Sequence, residues 1–130
     1  MTQKKAISTD AAPSAIGPYS QAIQLGNMVF CSGQIPLIPE TGELLSGTIQ
    51  EETHRVMKNL LAVLEAAGCD AEDVVKTTIF LKDLNNFGEV NETYGSYFSA
   101  PFPARACVEV AKLPKGVRVE IDAIANVSRN

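Results

Sequence analysis

The sequence has few of the side chains that bind metals or form disulfides. Its 130 residues include one histidine, His54, and three cysteines, Cys31, Cys69 and Cys107. The cysteines are far apart and odd in number, so they fit neither a disulfide framework nor a C-x-x-C metal or redox pair. We therefore expect reduced thiols, no metal site and no catalytic pairing of His54 with a serine or cysteine.

Long apolar runs and runs of basic residues are also missing. The longest apolar run, residues 60–67, contains Glu65 and is far shorter than the ~20 residues that cross a bilayer. The 11 Lys and Arg against 15 Asp and Glu give a net charge of −4, with no basic cluster to neutralise phosphates. No apolar stretch follows Lys4 and Lys5, as it would in a secretory signal. These features predict one cytoplasmic domain, residues 1–130, that binds a small molecule and neither nucleic acid nor membrane.

The spacing of apolar residues predicts an α+β sandwich with few helices. Residues 48–51 form a Thr-x-x-Glu capping box, after which apolar residues recur at helical spacing up to Gly68. A second helix is expected over residues 86–98, and strands over residues 4–8, 20–25, 28–32, 74–81, 104–110 and 117–125. Two helices cover only one face of a five- to six-stranded, mostly antiparallel sheet, so the other face must meet water or another chain.

The last two strands carry the charged residues of greatest interest. If these strands form an antiparallel pair with a turn near residue 114, Cys107 lies opposite Glu120, and Arg105 lies near Glu120 on the same face of the sheet. The apolar residues of both strands then lie on the other face, toward the helices. A guanidinium suits one carboxylate and a nearby carboxyl group can take a proton from water, so such a pair is suited to hold and hydrolyse a small acid. The alternative is a solvated face with ordinary cross-strand ion pairs, such as Glu109 with Arg118.

Several motifs resemble those of one protein family. The stretch FPARACVEVAKLP at residues 102–114, followed by VEI at 119–121, is similar to the signature of the RidA (YjgF) family of reactive-intermediate deaminases. Further motifs follow the family's order: AIGPY at 15–19, CSGQIP at 31–36, VKTT at 75–78 and KDLN at 82–85. The resemblance extends from about residue 7 to residue 125, nearly the whole chain.

The resemblance implies a chorismate-mutase-like fold assembled as a homotrimer around a central barrel, with active sites in the clefts between subunits. It also implies a cofactor-free 2-iminobutanoate/2-iminopropanoate deaminase activity, which hydrolyses enamines and imines such as 2-aminoacrylate, by-products of pyridoxal-phosphate enzymes, to 2-oxo acids and ammonia. Arg105 would bind the substrate carboxylate, assisted by the backbone N–H of Cys107, and Glu120 would activate the attacking water. The other pocket residues implied are Tyr19, Ser32, Gly33, Phe87 and Asn91.

Two other functions stay open from the sequence. A non-catalytic module that binds 2-oxo acids and signals their level to a partner would need Arg105 alone. An endoribonuclease or translation-inhibitor role, reported for some relatives, is disfavoured by the acidic composition and the lack of basic and stacking surfaces. Two pocket residues also have a second interpretation when the family resemblance is set aside. The pattern around Asn91 indicates a core residue that is hydrogen-bonded to backbone, and the pattern around Tyr19 indicates part of a turn.

Overall fold

The computed structural model describes residues 3–127, which form two α-helices and one six-stranded sheet. The strands lie in the order β1-β2-β3-β6-β4-β5, and all neighbours are antiparallel except β4 and β5. Both helices lie on one face, with α1 packed on β3 and β6 and α2 packed on α1, which confirms the predicted sandwich. No helix within residues 3–127 combines the length and apolarity needed to cross a membrane. The elements are β1 (Lys5–Ile7), β2 (Ala22–Leu25), β3 (Met28–Gln34), α1 (Ile49–Ala66), β4 (Val74–Leu81), α2 (Phe87–Gly95), β5 (Ala104–Glu109) and β6 (Val119–Asn126), with 3-10 turns at Ala71–Asp73, Leu84–Asn86 and Pro114–Gly116.

Helix α1 begins where the capping box predicts it. The Thr48 hydroxyl accepts a hydrogen bond from the Glu51 N–H (3.1 Å), and the Glu51 carboxylate accepts one from the Thr48 N–H (2.8 Å). One face of the helix is fully buried against the sheet, at Val56, Met57, Leu60, Val63 and Leu64. Burial stabilises the fold by roughly 1.5–3 kcal/mol for each large apolar side chain, so this stripe holds the helix layer on the sheet.

Helix α2 is shorter than the apolar spacing predicts. It ends at Gly95 rather than near residue 98 because the last turn tightens, with the Tyr97 N–H donating to the Tyr94 carbonyl three residues back (3.1 Å). The buried Tyr94 hydroxyl lies 2.7 Å from the Thr77 hydroxyl of β4. This hydrogen bond fixes α2 over β4, close to the edge strand β5.

The two C-terminal strands do not form the predicted hairpin. Strand β6 lies between β3 and β4, whereas β5 lies at the edge of the sheet, parallel to β4. Cys107 is therefore opposite Ile79, and Glu120 is opposite Phe80, instead of facing each other. Side-chain alternation determines which residues of a strand share a face, but it does not determine which strand lies alongside.

The predicted ion pair between Glu109 and Arg118 is wrong for the same reason. Arg118 instead pairs with the Glu52 carboxylate of α1 at 2.6 Å and donates to the Gly47 carbonyl at 2.8 Å. The Glu109 carboxylate accepts a hydrogen bond from the Leu84 N–H (2.9 Å). Both side chains therefore stabilise connections between elements, and neither forms a cross-strand pair.

The pairing of β5 with β4 also reverses the expected orientation of β5. Arg105 is opposite Thr77, which is buried beneath α2, so Arg105 and Cys107 lie on the helix face of the sheet. The apolar set of the strand, which includes Val108, lies on the open face and not under the helices as predicted. Val108 is 40% exposed there, and Phe30 of β3 is 44% exposed on the same face. The chain thus has an apolar sheet face that its own residues 3–127 leave uncovered.

Candidate active site

Strand β5 and helix α2 together hold the Arg105 guanidinium. One of its N–H groups donates a short hydrogen bond to the Asn91 side-chain oxygen. Its central carbon lies 5.3 Å from the ring centroid of Phe87 and 5.3 Å from that of Tyr94. Ring faces attract a cation without neutralising it. Within residues 3–127 no carboxylate forms an ion pair with Arg105, so its charge stays available to an anionic ligand.

The surroundings of Arg105 form a shallow cavity. This cavity has a volume of about 410 Å³, and its lining includes Asn91, Phe102 and Arg105. Cys107 lies two residues along the strand, and burial raises the pKa of its thiol, which the Arg105 charge only partly offsets. The thiol is thus protonated at neutral pH, which is unsuited to a nucleophile. We call Phe87, Asn91, Tyr94, Arg105 and Cys107 the Arg105 cluster.

The Glu120 carboxyl group lies on the other face of the sheet, against the backbone of β3. A methyl group added at Gly33 would lie 2.1 Å from one oxygen of Glu120, so only glycine leaves room for this contact. Within residues 3–127 no hydrogen-bond donor reaches the carboxylate. Its pKa is raised, first by burial and second by the negative charge of Asp122 two residues along β6. A carboxyl group with a raised pKa is a stronger base than an ordinary carboxylate, which favours a role in proton transfer.

A larger cavity, of about 610 Å³, opens beside Glu120. Predicted pocket residues Tyr19, Ser32 and Gly33 line it together with Glu120. The Ser32 hydroxyl donates to the Ser20 carbonyl (2.6 Å), which orients its oxygen. The other lining residues are mainly apolar, Pro13, Ile16, Ile35, Leu37 and Pro114, and the polar ones are Ser14, Gln21, Gln34 and Lys115. We call this space the Glu120 cavity.

The prediction that Arg105 and Glu120 share a face of the sheet is wrong. Strand β4 separates β5 from β6, a spacing of roughly 10 Å, and the two side chains point to opposite faces. The predicted site residues therefore form two groups within one chain. Tyr19, Ser32 and Gly33 accompany Glu120, whereas Phe87, Asn91 and Cys107 accompany Arg105.

Sequence reasoning missed some residues of these two groups. The apolar spacing of the second helix places Tyr94 on the buried stripe, and its position three residues after Asn91 puts both on one helix face. Nothing in the sequence distinguishes Gln21. For Asn59 the available signal is an amide on the buried face of α1, three residues after Val56 and four residues before Val63.

The remaining candidate groups lie away from both cavities. His54 is exposed on α1, with its Nδ1 2.7 Å from the Tyr97 hydroxyl. Cys31, Cys69 and Cys107 form no disulfide in the structure, and burial raises the pKa of Cys31 to about 12. Among the residues from 3 to 127, no group of His, Cys, Asp and Glu side chains is placed to hold a metal ion.

The fold is an α+β sandwich with one helix layer and two cavities, one beside Arg105 and one beside Glu120. The chain belongs to the YjgF/RidA family, since the family model described as Endoribonuclease L-PSP matches residues 9–127. This confirms the resemblance found in the sequence motifs.

Relatives with high identity over nearly the full length carry several names. A mouse protein named 2-iminobutanoate/2-iminopropanoate deaminase is 54% identical over 94% of this chain and 90% of its own. A RutC family protein of Pyrococcus abyssi is 55% identical over 94% of this chain and 96% of its own. The crystal structure of a Rid-family protein from Yersinia pestis superposes with a TM-score of 0.94 at 51% identity, covering 96% of this chain and 100% of the other.

Proposed function

We propose that the protein hydrolyses reactive 2-enamino and 2-imino acids, such as 2-aminoacrylate, 2-iminopropanoate and 2-iminobutanoate, to 2-oxo acids and ammonia. Two features of the chain support this substrate class. Arg105 is an exposed guanidinium with no carboxylate partner among residues 3–127, and Glu120 has a raised pKa beside a mainly apolar cavity. Relatives at 52–54% identity, from mouse, human and Escherichia coli, are named for this deaminase activity.

We further propose that two copies of the chain complete each active site within a homotrimer. The observation that carries this proposal is the position of Arg105 and Glu120 on opposite faces of one sheet. Side-chain rotation cannot bring them together in one chain, but β5 is an exposed edge strand and the open face is apolar, as expected of surfaces that meet another copy. The Arg105 cluster of one subunit would then close the Glu120 cavity of its neighbour.

The reaction assigns one role to each side of this composite site. Arg105 binds the substrate carboxylate through two parallel N–H groups, which places the C=N carbon in the Glu120 cavity. Glu120 takes a proton from water as the water oxygen bonds to that carbon, and the C=N electron pair goes to nitrogen, which then receives this proton from Glu120. In the second step Glu120 takes the proton of the new hydroxyl and passes it to the same nitrogen, the C–N bond breaks, and the products are the 2-oxo acid and ammonia. An enamine enters this sequence after protonation at its terminal carbon converts it to the imine.

The activity is tested by producing 2-aminoacrylate with a serine dehydratase and following pyruvate release. Wild-type protein should accelerate release over the uncatalysed rate. Glu120→Gln should lose at least about 100-fold of this rate, as expected for a general acid and base. Arg105→Ala should lose activity and binding together, because it removes the group that holds the carboxylate.

A matched control is Glu109→Gln, which removes another acid near the same strands and keeps an acceptor for the Leu84 N–H. This variant should retain the wild-type rate. Wild-type protein that leaves pyruvate release unchanged, but binds 2-oxo acids, would overturn the catalytic proposal in favour of a regulatory binding module. Full activity of Glu120→Gln would overturn the assigned role of Glu120.

A further inference from the structure

The Glu120 cavity is bounded by two chain segments that contain little regular structure. One is residues 8–21, which carry Pro13, Ile16 and Tyr19 of the cavity wall. The other is residues 35–37, which carry Ile35 and Leu37. Irregular segments of this kind hold a defined position only when specific side chains bind their backbone groups. In each segment such a binding side chain is a buried amide.

Gln21 holds the first segment. Its side chain is 3% exposed, and its oxygen accepts the Thr9 N–H at 2.7 Å. Its nitrogen donates to the Thr9 carbonyl at 3.0 Å and to the Pro13 carbonyl at 2.7 Å, with the Ala12 carbonyl at 3.4 Å. One side chain thus satisfies backbone groups 8 to 12 residues earlier in the chain. This contact closes residues 13–21 into a loop that carries the wall residues Ile16 and Tyr19.

Asn59 holds the second segment from the opposite side. It lies on α1, is completely buried, and its nitrogen donates to the carbonyls of Ile35 (3.1 Å) and Leu37 (2.9 Å). Its side-chain oxygen is buried without a hydrogen-bond partner among the described residues. This unpaired acceptor costs stability, but the two donated hydrogen bonds hold the backbone of residues 35–37 at a fixed position relative to α1. A leucine of similar size would fill the same space without holding that backbone.

We propose that Gln21 and Asn59 are positioning residues that set the distance between the two walls of the Glu120 cavity and so determine its affinity for the substrate. This inference rests on the proposed function of that cavity. Neither residue contacts Arg105 or Glu120 through a hydrogen bond within residues 3–127. Loosening either wall should weaken binding of the ground state and the transition state alike, which raises KM and leaves kcat nearly unchanged.

The test compares Gln21→Met and Asn59→Leu with wild type in the 2-aminoacrylate assay. Each variant should raise KM by about tenfold and keep kcat within about twofold. The two amides hold opposite walls of one cavity, so the double variant should raise KM more than either single variant. Matched controls are Gln24→Met, an exposed amide on β2 that donates to the Gly26 carbonyl, and Thr53→Val, a buried polar group on the same helix as Asn59. Both controls should keep the wild-type KM.

Two further measurements separate positioning from general stability. In Gln21→Met the Thr9 amide should exchange with deuterium at least about tenfold faster, because its acceptor is gone. In Asn59→Leu the urea midpoint should fall, because two backbone carbonyls lose their donor, and in Thr53→Val it should fall as well while KM stays at the wild-type value. Gln21→Glu is a second variant for the first wall, because it keeps the acceptor for the Thr9 N–H but places a buried carboxylate against the carbonyls that Gln21 binds, so it should raise KM at least as much as Gln21→Met.

Several outcomes would overturn the positioning role. They are an unchanged KM although Thr9 exchange has accelerated, a fall in kcat at constant KM, or an equal rise in KM in the control variants. Should wild type lack deaminase activity, calorimetric binding of pyruvate to the same variants replaces KM. Weaker pyruvate binding in Gln21→Met and Asn59→Leu alone would support the positioning role, and unchanged binding would refute it, so the two proposals fail independently.

Discussion

Mixing two inactive variants tests whether each active site is shared between two copies of the chain. Arg105→Ala removes the carboxylate-binding group and Glu120→Ala removes the proton-transfer group, so each pure variant should be inactive. The two positions are separated by β4 and lie on opposite faces of the sheet, roughly 10 Å apart across the strands alone. A complete site in the mixture therefore requires an intact Arg105 from one chain and an intact Glu120 from its neighbour.

The expected recovery follows from random assembly. In a 1:1 mixture each of the two required groups is intact with a probability of about one half, so about one quarter of the sites are complete. The assay is pyruvate release from 2-aminoacrylate after the two chains are unfolded and refolded together, with mixed oligomers verified by native mass spectrometry. A parallel mixture of wild type with Glu120→Ala should retain about one half of the wild-type rate. Mixed oligomers that recover no activity would refute the shared site.

The other predictions concern the Glu120 carboxyl group and the core. Asp122→Asn removes a negative charge that raises the pKa of Glu120. In the pH profile of kcat/KM, the fall on the acid side should therefore move to lower pH. An unchanged profile would contradict the effect of Asp122 on Glu120. Burial still raises the pKa in that variant, so the shift should be partial. Gly33→Ala places a methyl group 2.1 Å from a Glu120 oxygen, so the carboxyl group must move. The variant should reduce kcat by at least about tenfold while the thermal unfolding temperature changes little. A retained kcat would show that the position of the carboxyl group is unimportant. Leu60→Ala, at a fully buried position, should cost about 2–5 kcal/mol in urea unfolding at fixed protein concentration, and a smaller loss would mean that the core collapses around the gap.

The elements with strong local signals could be predicted from the sequence. The capping box at Thr48 and Glu51 specifies the start of α1, and the helical spacing behind it specifies the face that packs on the sheet. Strand β6 alternates buried and half-buried residues along its whole length, as its pattern predicts. Both features depend on residues close together in the sequence, so periodicity is sufficient to find them.

The position of β5 could not be predicted in this way. Its alternation separates Arg105 and Cys107 from Ala104, Ala106 and Val108 correctly, but a period of two does not state which of the two sets faces the helices. The turn residues around Pro114 favour a hairpin between β5 and β6. In the structure β6 instead pairs with β4 and β3, and β5 takes the remaining edge. The sequence motifs indicate the site residues, but only the position of β4 between β5 and β6 shows that they form two groups, one with Arg105 and one with Glu120.

The two arginines of the C-terminal strands show what distinguishes a binding group from a structural one. Arg118 is paired with the Glu52 carboxylate at 2.6 Å, so its charge is compensated within the chain and it joins α1 to the start of β6. Arg105 is held just as firmly, but by a neutral amide and two ring faces. Neutral partners orient a guanidinium without satisfying its charge, and the unsatisfied charge is what a substrate carboxylate can use. The charge of the partner, more than the fixation of the side chain, therefore marks Arg105 as the candidate for binding.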